Sequence, residues 1–227
     1  MIYKNIIPPV LEKVCERLKE SKLFLPSGGD SRIDSAEGGQ KIISVLQNIQ
    51  DENWAITFPN VGKESHRSWY DVLVDKYYCD IKISELKSAD NTNASRAIYY
   101  FITGIDKNIP QQSKPYFKSM KENENEDEDR DYYYIIINKS NTDDIFVVSL
   151  KGIEKLRPAG NNLPFQVNWD NCRRQVHRNW QSARDYLLKT YAQSLKQRMH
   201  SITEGLPQCY PEIWDGQQNN TRLYNNN

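Results

Sequence analysis

Two β-rich runs separated by two residues constrain this chain more than any other feature. Trp69-Tyr-Asp-Val-Leu-Val74 and Tyr77-Tyr-Cys-Asp-Ile-Lys-Ile83 flank Asp75-Lys76. So short a connection predicts an antiparallel hairpin. With Asp75-Lys76 as the turn, Val74 faces Tyr77, Leu73 faces Tyr78 and Val72 faces Cys79, which sets Asp71 across from Asp80. Asp-Lys is not a preferred turn pair, but a longer loop would still bring the two carboxylates near each other. Alternation puts Cys79, Ile81 and Ile83 on the core face and Asp80, Lys82 and Ser84 on the other, accessible face. Like charges directly opposed across a hairpin are destabilising. A divalent cation would convert that repulsion into a site, and Mg²⁺ favours one or two carboxylates completed by water and phosphate oxygens.

The rest of the chain predicts helices and strands around this hairpin, in an α/β domain with a mixed central sheet flanked by helices. Val10, Leu11, Val14 and Leu18 follow Pro9 at helical spacing and predict a helix to about Ser21. Asp34-Ser-Ala-Glu37 reads as a capping box opening a second helix, with Ile42, Ile43, Val45, Leu46 and Ile49 as its apolar stripe. Trp54–Phe58 predicts a short strand, and Asn93–Thr103 a helix stopped by Gly104. Gln111–Arg130 is polar and then acidic and reads as a flexible loop. Tyr132–Asn138, Asp144–Leu150 and Phe165–Trp169 predict strands, Gly152–Leu156 a single helical turn. Trp180–Met199 predicts a long helix with Leu188, Ala192, Leu195 and Met199 on one side.

The 227 residues suit one domain spanning 1–227, with a catalytic core at about 34–104 and a basic helical part at about 165–205. Formal net charge is zero, which argues against binding nucleic acid by bulk charge. Yet residues 171–200 carry seven basic side chains against Asp185 alone, and 122–130 six acidic ones against Arg130 alone. No run approaches the roughly 20 apolar residues of a membrane helix, and Met1–Pro9 lacks the pattern of a secretory signal. The scattered Cys15, Cys79, Cys172 and Cys209 read as free thiols of a reducing cytoplasm. Three histidines disfavour a histidine-rich zinc site.

Asp71…Asp80-x-Lys82 resembles the PD-(D/E)xK signature of the type II restriction endonucleases. Asp80-Ile-Lys-Ile-Ser, Ala89-Asp-Asn-Thr-Asn and Ile98-Tyr-Tyr-Phe-Ile-Thr-Gly104 extend the resemblance over Trp69–Gly104, with an echo in the basic C-terminal third. Tyr70 stands where the motif has Pro. Within that family the chain resembles the enzymes that cut G-A-N-T-C. The resemblance implies a helix–strand–hairpin–strand–helix core and Asp71 and Asp80 as Mg²⁺ ligands, with Lys82 as the catalytic lysine. It further implies a bacterial, cytoplasmic homodimer of a restriction-modification system that hydrolyses double-stranded DNA to leave 5′-phosphate ends.

Other residues compete for roles. Glu85-Leu-Lys87 offers a second frame, disfavoured because a continuing strand would turn Glu85 to the core. Glu37 and Glu64 are candidate additional acidic residues, and His66 lies near them in sequence. Asn91, Asn93, Ser95, Arg96, Gln166, Asn168, Arg173, Arg174 and Arg178 are candidate DNA contacts, since Arg and Lys neutralise phosphates and Asn or Gln reads adenine. The alternative for the basic segment is a solvated helix face or a dimer interface on its apolar stripe. Rival functions are a structure-specific nuclease of the same superfamily, a non-catalytic DNA-binding protein, and a purely structural protein with no divalent-ion site.

Overall fold

The structure is a computed structural model and describes residues 7–23, 31–49, 54–61 and 68–210. Helix α1 (Pro9–Glu20) begins on Pro9, with Glu12 in its first turn and Arg17 and Lys19 in its last, all in accord with the helix dipole. Helix α2 (Ser31–Asn48) starts before Asp34, so the capping-box expectation is corrected: Asp34 lies inside the helix. Strands β1 (Ile56–Thr57), β2 (Val72–Val74) and β3 (Tyr77–Ser84) follow, then β4 (Asp90–Asn91) and helix α3 (Ser95–Thr103). Gly104 takes the left-handed conformation at φ 76° that ends α3, as its position predicts.

Helix α4 (Ser113–Glu122) occupies half of the stretch read as a flexible loop. Its apolar contacts are the buried Tyr116 and Met120, too sparse to stand out in a polar segment. Strands β5 (Tyr133–Asn138) and β6 (Ile145–Ser149) form as expected, and β7 (Arg157–Pro158) and β8 (Phe165–Val167) follow. Residues 152–156 are not helical, which corrects that expectation. Helix α5 (Trp180–Cys209) is longer than its apolar pattern suggested.

Five strands form a mixed sheet in the order β1-β2-β3-β5-β6, with β3 parallel to β5 and the other neighbours antiparallel. The smaller sheet runs β4-β8-β7. The hairpin register is the one the alternation predicts: Val72 opposes Cys79, Leu73 opposes Tyr78 and Val74 opposes Tyr77. Asp75 accepts the turn's positive φ of 52°, and its carboxylate takes the Ala55 N–H at 2.9 Å, docking β1 onto the hairpin.

Both faces of the large sheet are covered, so Tyr133–Ile137 is buried without alternation. One face carries Cys79, Ile81, Ile83, Tyr133, Ile135 and Ile137 against Leu11, Val14 and Leu18 of α1 and Ile42 and Leu46 of α2. The other carries Tyr78, Tyr132, Tyr134 and Ile136 against α3, α4, α5 and the small sheet. The core side of α5 is Trp180, Ala183, Leu187 and Tyr191. Beyond β6 no further strand pairs among the described residues. There the Gln175 carboxamide accepts the Ser149 N–H at 2.7 Å and donates to the Val147 carbonyl at 3.0 Å.

A candidate divalent-cation site on the hairpin

Strand β3 carries Asp80 and Lys82 in the interior of the sheet, between β2 and β5. Asp71 lies just before β2 and brackets Asp80 by two hydrogen bonds. Its N–H donates to the Cys79 carbonyl at 3.0 Å, and its carboxylate Oδ2 accepts the Ile81 N–H at 2.9 Å. The Asp71 side chain thus continues the ladder where the backbone of β2 leaves it, and its carboxyl comes within hydrogen-bonding reach of Asp80. Lys82 Nζ lies 2.5 Å from Asp80 Oδ2. The three residues singled out by the hairpin spacing are therefore brought together.

The face is not the open one expected. Asp80 and Lys82 side chains are 16% and 20% exposed, because the large sheet is packed on this side too. Burial drives the Asp80 pKa well above the ordinary carboxylate range. The Asp71 carboxyl adds to the shift and the Lys82 ammonium offsets part of it. Two carboxyls so placed favour a shared proton or a cation over two bare charges.

Below them lies an aromatic bed. Trp69 packs on Tyr70, Tyr78, Tyr100 and Tyr132 with centroids 4.9 to 5.4 Å apart. The Tyr78 hydroxyl and the Trp69 indole N–H both donate to Asp106, at its carboxylate and its carbonyl. Tyr134 pairs with Asp80 across β5, and its ring sits 5.0 Å from Trp169. The Tyr134 hydroxyl and Trp169 Nε1 are buried without a hydrogen-bond partner among the described residues. Sequence reading did not find these groups, since nothing local marks a tyrosine as the floor of a site.

Two hard carboxylate oxygens beside unused polar capacity fit a Mg²⁺ ion, which completes its shell with water and phosphate. Among the described residues no third His, Cys, Asp or Glu joins them. Glu64 and His66 lie outside the described residues, as does the Glu37 side chain. The second frame is disfavoured by position. Strand β3 ends at Ser84, and the exposed Glu85 accepts a hydrogen bond from Ser140 at 2.7 Å. Five residues of strand separate it from Asp80 by roughly 16 Å.

The candidate DNA contacts fare unevenly. Arg173 is engaged within the chain: its guanidinium makes paired bonds to Asp144 at 2.8 and 2.7 Å, a third to Asp170 at 2.8 Å, and lies over the Phe146 ring. Arg178 is engaged likewise, donating to the Lys151 and Ile153 carbonyls at 2.8 Å and stacking on Tyr186. Asn168 caps the 3-10 turn Trp169–Cys172 through the Asp170 N–H. Ser95 bonds to the Tyr191 hydroxyl and Arg96 to Gln111, while no side chain caps α3. Gln166 donates to Asn91 at 2.9 Å on the exposed rim of the small sheet. Asn93 is exposed with φ 51°. Arg174 is exposed and makes no hydrogen bond or ion pair among the described residues.

The acidic run is used internally. Glu124 pairs with Arg184, and Glu128 accepts the Trp180 N–H at 2.9 Å, capping α5. The buried Arg130 donates to the Phe101 and Asn125 carbonyls. A cleft of about 420 Å³ opens elsewhere, between Pro8, Lys76, Asp131 and His177, and does not include Asp71 or Asp80. Among the described residues no helix is long and apolar enough to cross a membrane. No protein-family model and no curated protein matches this chain.

Proposed function

We propose that this chain is a Mg²⁺-dependent deoxyribonuclease of the type II restriction endonuclease class, cutting duplex DNA at a short specific site. The observation that carries the reading is the joining of Asp71, Asp80 and Lys82 at one half-buried point of the sheet. The chain order α2, β1, the β2–β3 hairpin, β4 and α3 runs helix–strand–hairpin–strand–helix, with β4 in the small sheet, and supports the reading.

Asp71 and Asp80 would hold the metal. Mg²⁺, when bound, acidifies a water and offsets charge developing on the phosphate. The remaining work falls to the chain. Asp71 is fixed by its bond to the Ile81 N–H, so the carboxylate pair is preorganised. Lys82 Nζ offers a positive charge and proton donors to orient the attacking water beside Asp80. Arg174 is left to grip phosphate, and the Asn91–Gln166 pair retains an amide donor and a carbonyl acceptor, the combination that matches an adenine edge. Two copies related by a twofold axis would meet a palindromic site.

The test is incubation with unmethylated plasmid, with and without Mg²⁺, beside Asp80→Ala and Lys82→Ala. Discrete fragments ending in 5′-phosphate are expected from the wild type, with activity lowered by on the order of 10²–10³-fold in each variant. G-A-N-T-C is the first sequence to compare with the fragment ends. Undiminished cutting by Asp80→Ala would overturn the assignment. A second reading, a nuclease selecting DNA by structure, is favoured by the internal use of Arg173 and Arg178. It predicts cleavage of branched or flapped DNA with intact plasmid spared.

A further inference from the structure

The Tyr70–Asp71 peptide is held at both of its polar ends. On one side the Asp71 N–H donates to the Cys79 carbonyl of β3 at 3.0 Å. On the other, the Tyr70 carbonyl accepts a hydrogen bond from the Asn60 carboxamide Nδ2 at 2.9 Å. The same carboxamide accepts the Ser68 N–H at 2.6 Å through Oδ1. Asn60 thus grips the backbone on either side of Trp69, just ahead of the aspartate that reaches into the site.

The strand register explains why a side chain does this. Strand β1 opposes β2 with Ile56 against Val74 and Thr57 against Leu73, a register that, carried on, sets position 60 against position 70. The backbone ladder does not run that far, since β1 ends at Thr57 and Pro59 has no N–H to donate. There the Asn60 amide supplies the donor and acceptor that a continuing strand would have presented. Tyr70 brings no fixed φ of its own, as a proline would. Its ring packs edge-on against Trp69 and Tyr78, at 5.3 and 4.7 Å. Without Asn60 the Tyr70–Asp71 peptide keeps a partner at its N–H end alone and can tilt. Asp71 tolerates little tilt, because its carboxylate accepts the Ile81 N–H and also stands within reach of Asp80.

We propose that Asn60 is a positioning residue of the divalent-cation site, its carboxamide fixing the Tyr70–Asp71 peptide so that the Asp71 and Asp80 carboxylates face one ion. The role rests on the cation reading of those two carboxylates and adds to it a group outside the hairpin on which the geometry of the site depends.

The experiment is calorimetric titration of the full chain with Mn²⁺, which carboxylate sites take as they take Mg²⁺. It is run without DNA, at a temperature where circular dichroism shows each variant folded. Asp80→Asn serves as the blank for ions bound elsewhere, as on the acidic run. Asn60→Ala removes both bonds, while Asn60→Asp keeps the acceptor for Ser68 and loses the donor to Tyr70. Asp75→Ala is the control for general loosening. It releases another side-chain tie between β1 and the hairpin, to the Ala55 N–H, and leaves the Tyr70–Asp71 peptide alone. Both Asn60 variants are expected to bind Mn²⁺ about 10-fold or more weakly, Asn60→Asp despite an added charge that by itself would tighten binding. Asp75→Ala should melt earlier yet keep the wild-type affinity. Wild-type affinity in either Asn60 variant would overturn the role of Asn60 and leave the cation reading standing. An equal loss in Asp75→Ala would do the same. A wild type that takes up no more Mn²⁺ than Asp80→Asn would overturn the cation reading, and this role with it.

Discussion

Burial and the adjoining Asp71 carboxyl raise the Asp80 pKa, so the folded chain holds a proton there more tightly than the unfolded one does. Stability then falls as pH rises out of the ordinary carboxylate range toward the raised value. Asp80→Asn removes that burden and leaves Asp71 as the counter-charge to Lys82. It should raise stability at pH 7 by about 0.5–2 kcal/mol while abolishing cleavage, a trade expected where function keeps a charge in a costly place. Thermal melts at pH 5 and 7 check this, the gain being larger at pH 7. Asp131 is a second case, unconnected with the site. Burial lifts its pKa to about 6 against the bonds it accepts from Ser149, Tyr132 and Lys151. Its contribution is fully present below about pH 4 and is lost between about pH 4 and 6, to the extent of about 3 kcal/mol. Urea midpoints for Asp131→Asn should be flatter across that window than those of the wild type.

At the level of elements, Arg173 ties the 3-10 turn Trp169–Cys172 to the start of β6 through Asp144 and the Phe146 ring. The guanidinium is too exposed to count at full electrostatic weight, so Arg173→Ala should cost about 1 kcal/mol. Arg174→Ala should leave the melting temperature unchanged and reduce the salt slope of DNA binding by about 1. The reverse pattern would return Arg173 to the DNA. These fates show which features the sequence displays. The hairpin was legible because a period of two and a two-residue turn are local, and the Asp71–Asp80–Lys82 grouping follows from them. Helix α4 was not, since Tyr116 and Met120 barely mark a polar helix. The start of α2 was obscured by Asp34 and Glu37, which imitate a cap. The internal partners of the basic segment escape a local reading because they are remote: Asp144 lies 29 residues from Arg173, and Glu124 lies 60 from Arg184. Of the seven basic side chains between residues 171 and 200, Arg173 and Arg184 make ion pairs in the fold, and Arg178 bonds to backbone carbonyls.

Seen as a whole, the molecule sets its chemistry on the best-supported strand of the sheet, with a packed layer on either face. The two layers differ in kind. The α1–α2 side packs mainly aliphatic side chains of α1 and α2 on the sheet, while the other brings tyrosines, Trp169 and the small sheet up to it. The mixed order leaves the sheet two margins, β1 and β6. At β6 the Gln175 side chain presents a carbonyl and an amide in place of a neighbouring strand, and Gly152 makes room for it, since a Cβ there would lie 2.6 Å from Gln175 Oε1. That single carboxamide is a guard against aggregation. Without it, Val147 and Ser149 offer an unpaired donor and acceptor to any extended peptide, including β6 of another molecule. Gln175→Ala should therefore become turbid on warming at concentrations where the wild type stays clear. Light scattering that rises steeply with protein concentration would identify strand-to-strand association as the cause.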